Sequence, residues 1–206
     1  MRQWFQDSSF RERKTVRIMN RNFEKMLVEQ CAPTLAGIKP ANLFRFSGGG
    51  KEIRREVTYW DRELNRHGIS VEIIKECPGT DSILVYVYRK EWVEEILSGS
   101  EVRDFLERKG YARSENCGRF LEQLSERLCL EEEFPHEVGI FLGYPLEDVI
   151  GFIENRGQNY TSCGFWKTYG DPCEARSRFD GYRACINMFM KMFENGIPVI
   201  QLLRAV

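Results

Sequence analysis

The sequence has few of the features that usually point to a function. Its 30 lysines and arginines nearly balance its 31 acidic residues, so nucleic acid and anionic membranes are unlikely partners on electrostatic grounds. It contains no apolar run near the roughly 20 residues that a membrane-spanning helix needs, and no apolar signal-peptide core near its start. We therefore expect a cytoplasmic protein without a membrane segment.

Recognisable cofactor and metal motifs are also missing. The seven cysteines never form a Cys-x-x-Cys pair, which argues against a zinc ribbon, and in a reducing compartment they are expected to be thiols. The glycines match neither the P-loop pattern GxxxxGK[ST] nor the dinucleotide pattern GxGxxG. The sequence thus assigns no cofactor and no metal ligands, and its partner is an unidentified small molecule or protein.

What is present is the composition of an ordinary folded protein. With 206 residues, of which 42% are hydrophobic and 30% charged, the chain can bury a core without disulfides. Arginine and lysine outnumber acidic residues in the first 19 positions. We therefore predict a basic N-terminal extension over residues 1–19 and a single domain over residues 20–206.

Hydrophobic periodicity predicts an α+β fold. Strands are expected over NLFRFS, over SVEIIKE and SILVYVYRK as a hairpin, and over EVGIFLG, whose apolar run is short. Apolar residues at helical spacing predict helices from Asn20 to about Pro33, from Ile53 to Leu64, in two or three short pieces between Trp92 and Leu128, after Pro145, and from Pro172 to about Asn195. The elements show no regular βαβ alternation, so we expect a small mixed or antiparallel sheet covered by helices, with a helical insert.

The segment from Phe134 to Gly170 is the most site-like part of the chain. It concentrates glycines, aromatic residues and reactive side chains near the ends of predicted elements, where binding groups are common. Its aromatic and polar residues could stack on a flat ligand and pair a lysine with a phosphate or carboxylate. The candidate ligand-binding residues are Lys39, Tyr144, Asn159, Tyr160, Trp166 and Lys167.

A thiol-dependent hydrolase or transferase is the alternative. Cys31 lies near a predicted helix end, and the charge of Lys39 would lower the pKa of its thiol. His136 would act as the base and Glu137 would orient it. Two other interpretations stay open: Cys31 continues the apolar face of its helix and can be a core residue, or it joins His136 and Cys163 or Cys185 in a metal site, for which no compact ligand spacing exists.

Three motifs carry a resemblance to a known family. They are CAPTLAGIKPANLF at residues 31–44, VYVYR at 85–89, and FPHEVGIFLGYPLEDVIGFIENRGQNYTSCGFWKTYG at 134–170. Together they resemble a bacterial family catalogued as a domain of unknown function (DUF3793), from about Asn20 to Gly196. The resemblance implies that Cys31, Lys39, His136, Tyr144, Asn159 and Lys167 belong to the family's pattern, but it brings no activity with it.

These observations lead to one leading hypothesis. We expect a cytoplasmic binding or accessory protein with a ligand or partner surface in residues 134–170. The family's loose association with iron-uptake and flavodoxin genes favours a redox- or metal-linked role.

Overall fold

A three-stranded antiparallel sheet lies at the centre of the fold. In the computed structural model, which describes residues 22–47, 50–114, 116–130 and 134–204, the strands are β1 (Ala41–Ser47), β2 (Ile69–Cys77) and β3 (Ser82–Arg89), in the order β1-β3-β2. β2 and β3 form the predicted hairpin. The predicted small antiparallel sheet is confirmed, whereas the predicted extension over residues 1–19 lies outside the described residues.

Helices cover both faces of this sheet. The described residues contain nine of them: α1 (residues 22–35), α2 (Lys51–Asn65), α3 (Lys90–Ser98), α4 (Ser100–Arg108), α5 (Cys117–Leu130), α6 (Val138–Phe141), α7 (Leu146–Glu154), α8 (Pro172–Glu194) and α9 (Val199–Leu202). The predicted α+β domain with a helical insert, here α3 to α5, is thereby confirmed. None of these described helices is both long enough and apolar enough to cross a membrane.

The alternation of side chains along β3 creates two cores. Val85 and Val87 point to one face, and Tyr86 and Tyr88 point to the other. The first core receives α1, α2, α9 and the C-terminal half of α8. The second core receives α3, α4, α5, α6 and α7. The N-terminal half of α8 belongs to a smaller aromatic cluster, in which Phe179 and Tyr182 pack around Trp166.

Where the sequence has one clear apolar stripe, the predicted helix is present. The buried residues of α2 are the predicted Ile53, Val57, Trp60 and Leu64. The side chain of Asp171 accepts the backbone N–H of Cys173 at 2.7 Å and caps α8, whose first residue is a proline. The helix ends before Asn195 and Gly196, as predicted.

The predicted strand over residues 137–143 is wrong. This segment contains the short helix α6, in which the N–H of Val138 bonds to the carbonyl of Pro135 and that of Ile140 to the carbonyl of Glu137. All four residues of α6 are buried. Because the segment is apolar on every side, it has no periodicity that distinguishes a buried strand from a buried helical turn.

Helix α1 continues beyond its predicted end at Pro33. The last helical residue is 35, and the N–H of Ala36 still bonds to the carbonyl of Ala32 at 2.8 Å. A proline here removes one helical hydrogen bond, but Ala32 and Leu35 are buried in the first core and hold this last turn in place. Cys31 therefore lies inside the helix rather than at its end.

A second, two-stranded sheet packs closely on α8. Strands β4 (Ser162–Cys163) and β5 (Lys167–Thr168) are antiparallel, and the N–H of Gly164 bonds to the carbonyl of Trp166 at 3.0 Å across their connection. A Cβ atom at Gly164 would overlap the ring of Phe179. The hairpin can approach α8 this closely because residue 164 has no side chain.

We expect Gly164→Ala to lower the free energy of unfolding by about 1–3 kcal/mol, because the added methyl group must displace the hairpin or the Phe179 ring. Gly181→Ala is the matched control, since a Cβ atom there meets nothing within 4 Å on α8; alanine in a helix should leave stability unchanged or raise it by about 1 kcal/mol. Urea unfolding followed by circular dichroism measures both. A Gly164→Ala variant as stable as the wild type would contradict the close packing.

Candidate functional site

An apolar pocket of about 330 Å³ opens between α6, α7 and the β4–β5 hairpin. Its lining residues all fall between Phe134 and Lys167, within the segment that the sequence singled out. Rings form much of the wall, and they belong to Phe134, His136, Tyr144, Phe152, Phe165 and Trp166. A concave apolar wall with a few polar groups is typical of sites for small molecules.

One buried carboxylate holds this wall together. Asp148, which is only 3% exposed, lies in the first turn of α7. Its Oδ2 accepts the indole N–H of Trp166 at 2.7 Å, and its Oδ1 accepts the backbone N–H groups of Tyr169 at 2.6 Å and Gly170 at 3.0 Å. Hydrogen bonds to a charged acceptor are stronger than neutral ones. They fasten the hairpin and the residues that follow it to α7.

The sequence did not identify this role of Asp148. Its position in the first turn of a predicted helix already explained an acidic residue there. The groups that it binds lie 18 to 22 positions further along the chain. The spacing of residues gives no signal for a contact of that range.

Trp166 is fixed by rings on two sides. Its ring stacks on that of Tyr144, with centroids 4.7 Å apart and planes at 23°, and meets the ring of Phe179 edge to face at 4.5 Å. Burial raises the pKa of Tyr144 to about 12, so its hydroxyl stays neutral at physiological pH. The indole is thus locked by stacking and by its bond to Asp148, which makes this part of the wall rigid.

Lys167 lines the pocket as a half-buried cation. Its Nζ donates to the carbonyl of Gly157 at 2.6 Å and lies 4.9 Å from the ring centroid of Tyr160 and 5.8 Å from that of Phe152. The exposed ring of Tyr160 therefore covers the ammonium rather than lining the pocket itself. The lysine is held by two rings and one carbonyl oxygen.

The remaining two ligand-binding candidates support the pocket from outside. Asn159 has φ of 58° and donates from Nδ2 to Oδ1 of Asn155 at 3.2 Å, so it shapes the turn after α7. Lys39 lies behind Tyr144, with its Nζ 5.4 Å from the ring centroid of that tyrosine. Of the six candidates, Tyr144, Trp166 and Lys167 line the pocket.

His136 and Glu137 lie in a turn and have different surroundings. The exposed ring of His136 lines the pocket and meets the ring of Phe152 at 4.7 Å. Glu137 is buried, and its Oε1 accepts hydrogen bonds from Nε of Arg127 at 2.9 Å and from the hydroxyl of Tyr111 at 3.3 Å. The carboxylate that was predicted to orient the histidine is thus bonded to α5 and to the segment before it.

Cys31 and Lys39 influence each other inside the protein. Cys31 is 0% exposed and Lys39 is 3% exposed, and the Nζ of the lysine donates to the carbonyl of Ala41. Burial raises the pKa of the Cys31 thiol well above its usual value, and the opposing effect of Lys39 is smaller. The thiol pKa therefore shifts in the direction opposite to the predicted one, because loss of hydration outweighs the nearby charge.

The same burial acts on the lysine. It lowers the pKa of Lys39 to about 7, against a weaker opposing effect of Cys31. A neutral thiol beside a neutral amine is therefore the favoured state above that pH. In the part of the chain that the structure describes, no three His, Cys, Asp or Glu side chains are grouped so that they could hold a metal ion.

We expect Cys31 to resist alkylation in the native protein, because it is buried and protonated. Treatment with iodoacetamide at pH 7.5, followed by mass-spectrometric mapping, should label the exposed Cys129, Cys163 and Cys173 first. Cys31 should be labelled only after the protein unfolds in urea. Rapid labelling of native Cys31 would contradict its burial and would restore the thiol-enzyme hypothesis.

Lys39 should make stability depend on pH. Its pKa falls from an ordinary 10.5 in the unfolded chain to about 7 in the folded protein. Between these two pH values, Lys39 binds more protons in the unfolded chain than in the folded protein. The free energy of unfolding therefore rises with pH, by up to about 1.4 kcal/mol per pH unit. The cost of burying the charge is fully present below pH 7 and is relieved above it.

The test compares wild type, Lys39→Met and Lys25→Met by urea unfolding between pH 6.5 and 8.5. The wild type should gain stability relative to Lys39→Met as the pH rises, since the methionine has no proton to lose. Lys25 lies exposed on α1 and serves as the matched control. Parallel curves for the wild type and Lys39→Met would show that the lysine does not lose its proton on folding in this range.

The comparisons with known proteins give one match. A family model described as "Protein of unknown function (DUF3793)" matches residues 27–203, which include every residue that lines the pocket and, apart from Phe23 and Met26 of the first core, both cores. Neither the curated proteins nor the solved structures contain a significant match. The chain therefore belongs to the DUF3793 family, as its three motifs predicted.

Proposed function

We propose that this protein binds a small molecule in the pocket between α6, α7 and the β4–β5 hairpin. One observation carries the proposal: a rigid aromatic wall, fixed by Asp148 and Phe179, faces an apolar space of about 330 Å³. Fixed rings lose little entropy when a ligand binds, and that favours affinity. Exposed apolar surface is otherwise costly to maintain.

The carboxylates in and near the pocket already have hydrogen-bond partners, and this favours binding over catalysis. Asp148 accepts three hydrogen bonds, and Glu137 is paired with Arg127. A nucleophile or general base must instead reach a substrate. His136 is the candidate base that lines the pocket, and on its own it supplies only one part of a catalytic site.

The thiol-dependent enzyme is the weaker of the two functions. It needs Cys31 and His136 in one place, but Cys31 is enclosed in the first core, whereas the pocket that His136 lines borders the second core. We therefore propose a binding or accessory role. A cytoplasmic location and a redox- or metal-linked role stay predictions from the sequence and the family resemblance.

The indole N–H signals of the tryptophans test the proposal. In protein labelled with ¹⁵N-tryptophan, neutral aromatic probes such as 2-naphthamide, indole and benzamide should shift the signal of Trp166, which lines the pocket. The signal of Trp92, on α3 away from the pocket, should stay in place. For ligands of this size we expect a Kd of about 1 mM or tighter.

Two matched variants locate the binding site. Cys163 and Cys173 are both exposed, but only Cys163 lines the pocket. Cys163→Phe should weaken 2-naphthamide binding by filling part of the space, and Cys173→Phe should leave it unchanged. If none of the probes shifts Trp166 at millimolar concentration, or if the two variants behave alike, the pocket is not a binding site.

A further inference from the structure

The ammonium of Lys167 lacks a carboxylate partner within the described residues. Its contacts there are one hydrogen bond to the carbonyl of Gly157 and the rings of Tyr160 and Phe152. An ammonium group has three protons to donate. The ammonium is half-buried, so the rings replace part of its hydration, and an opposite charge would stabilise it further. Lys167 therefore has room for an anionic partner.

The position of Lys167 decides where that partner can come from. The lysine lines the pocket, so a molecule bound there lies against its side chain. Within the described residues, the pocket lining contains one carboxylate, that of Asp148, and both of its oxygens are already bonded to N–H groups of the hairpin region. The carboxylate of Asp148 is buried and accepts the indole N–H of Trp166. It forms no ion pair with the ammonium of Lys167 within the described residues. A ligand bound in the pocket can supply the negative charge.

The wall also limits how much charge the ligand carries. Phosphate groups are usually bound by several donors together, such as arginine forks or successive backbone N–H groups. No arginine is among the residues that line this pocket in the described part of the chain, and Lys167 is a single point charge. One lysine balances one negative charge. This favours a carboxylate over a phosphate.

The rest of the wall favours a flat, apolar body. Val138, Leu142 and Val149 supply aliphatic surface, and Tyr144 and Trp166 supply a stacked pair of rings. Aromatic walls accept planar groups by offset stacking or edge contacts. Among the described lining residues, Lys167 is the one lysine or arginine, and the ring of His136 is the other basic group.

We infer that the pocket selects an apolar monocarboxylate with a planar ring, and that its carboxylate binds the ammonium of Lys167. The inference rests on the proposed function, because it specifies the ligand of the same pocket. It assigns Lys167 a role in ligand selection and the rings a role in affinity.

Three probes of one shape test the ligand class. We would measure the affinities of 2-naphthoate, its neutral amide 2-naphthamide, and 2-naphthyl phosphate at pH 7.5, by the Trp166 indole signal and by calorimetry. The carboxylate should bind about 10-fold more tightly than the amide, which is the effect of one charge-assisted hydrogen bond. It should also bind more tightly than the phosphate, and added salt should weaken only the charged probes.

Variants then assign the effect to Lys167. Lys167→Met should abolish the preference for 2-naphthoate over 2-naphthamide, whereas Lys167→Arg should keep the preference for the acid. Lys109→Met is the matched control, because the Nζ of Lys109 also lies over a ring, that of Phe105 at 5.7 Å, and does not line the pocket. The ratio of the two affinities within one variant gives the preference, even where the variant changes both affinities.

The outcomes separate this inference from the proposed function. If neither 2-naphthoate nor 2-naphthamide shifts the Trp166 signal, the proposed function itself fails. If both bind the wild type with equal affinity, or if the phosphate binds most tightly, the pocket binds ligands but the monocarboxylate inference is wrong. The comparison of probes on the wild type decides this even if a Lys167 variant does not fold.

Discussion

The carboxylate of Asp148 is the interaction on which the site depends. Its bonds to Trp166, Tyr169 and Gly170 reinforce a β4–β5 hairpin whose own ladder joins two strands of two residues each. An isolated hairpin is at best marginally stable. The carboxylate attaches this weak element to α7 at three points, and each bond is made where little water competes. A hairpin that could not fold alone thus becomes one wall of a pocket.

Three charged side chains near the pocket show three consequences of burial. The buried carboxylate of Asp148 is surrounded by N–H donors. Lys39 lacks a carboxylate among its described contacts, and burial lowers its pKa to about 7, so its charge is given up easily. Lys167 is half-buried against two rings and a carbonyl oxygen. The degree of burial and the number of hydrogen-bond partners determine which of these side chains is available to bind a ligand.

Much of the fold could be predicted from the sequence, and the failures have a common physical cause. Helix α2 and helix α8 have one apolar stripe and clear end signals, so local patterns suffice. The segment that became α6 is buried on all sides, so packing rather than pattern selects its conformation. Helix α1 passes through Pro33 because its last turn is buried in the first core. In both cases tertiary contacts override the local preference.

The site also has features that residue type predicts and features that only tertiary packing determines. Tyr144, Trp166, Lys167 and His136 were predicted as candidates from their residue types, and all four line one pocket. The role of Asp148 was missed because its partners are distant in the sequence. Of the interpretations that the sequence left open for Cys31, its burial agrees with that of a core residue. Residue type identifies which groups could act. Only the packing of the chain decides which of them are available.

Helix α8 connects the pocket to the opposite side of the molecule. Its Phe179 contacts the ring of Trp166 edge to face. Ten residues later, its Phe189 is buried in the first core, which lies on the other face of the central sheet from the second core. An α-helix is nearly incompressible along its axis, so a shift at one end reaches the other. Substitutions around Phe189 in the first core can therefore shift Phe179 and, with it, the Trp166 side of the pocket. If the pocket binds the proposed ligand, residues that never touch that ligand also influence which ligand fits.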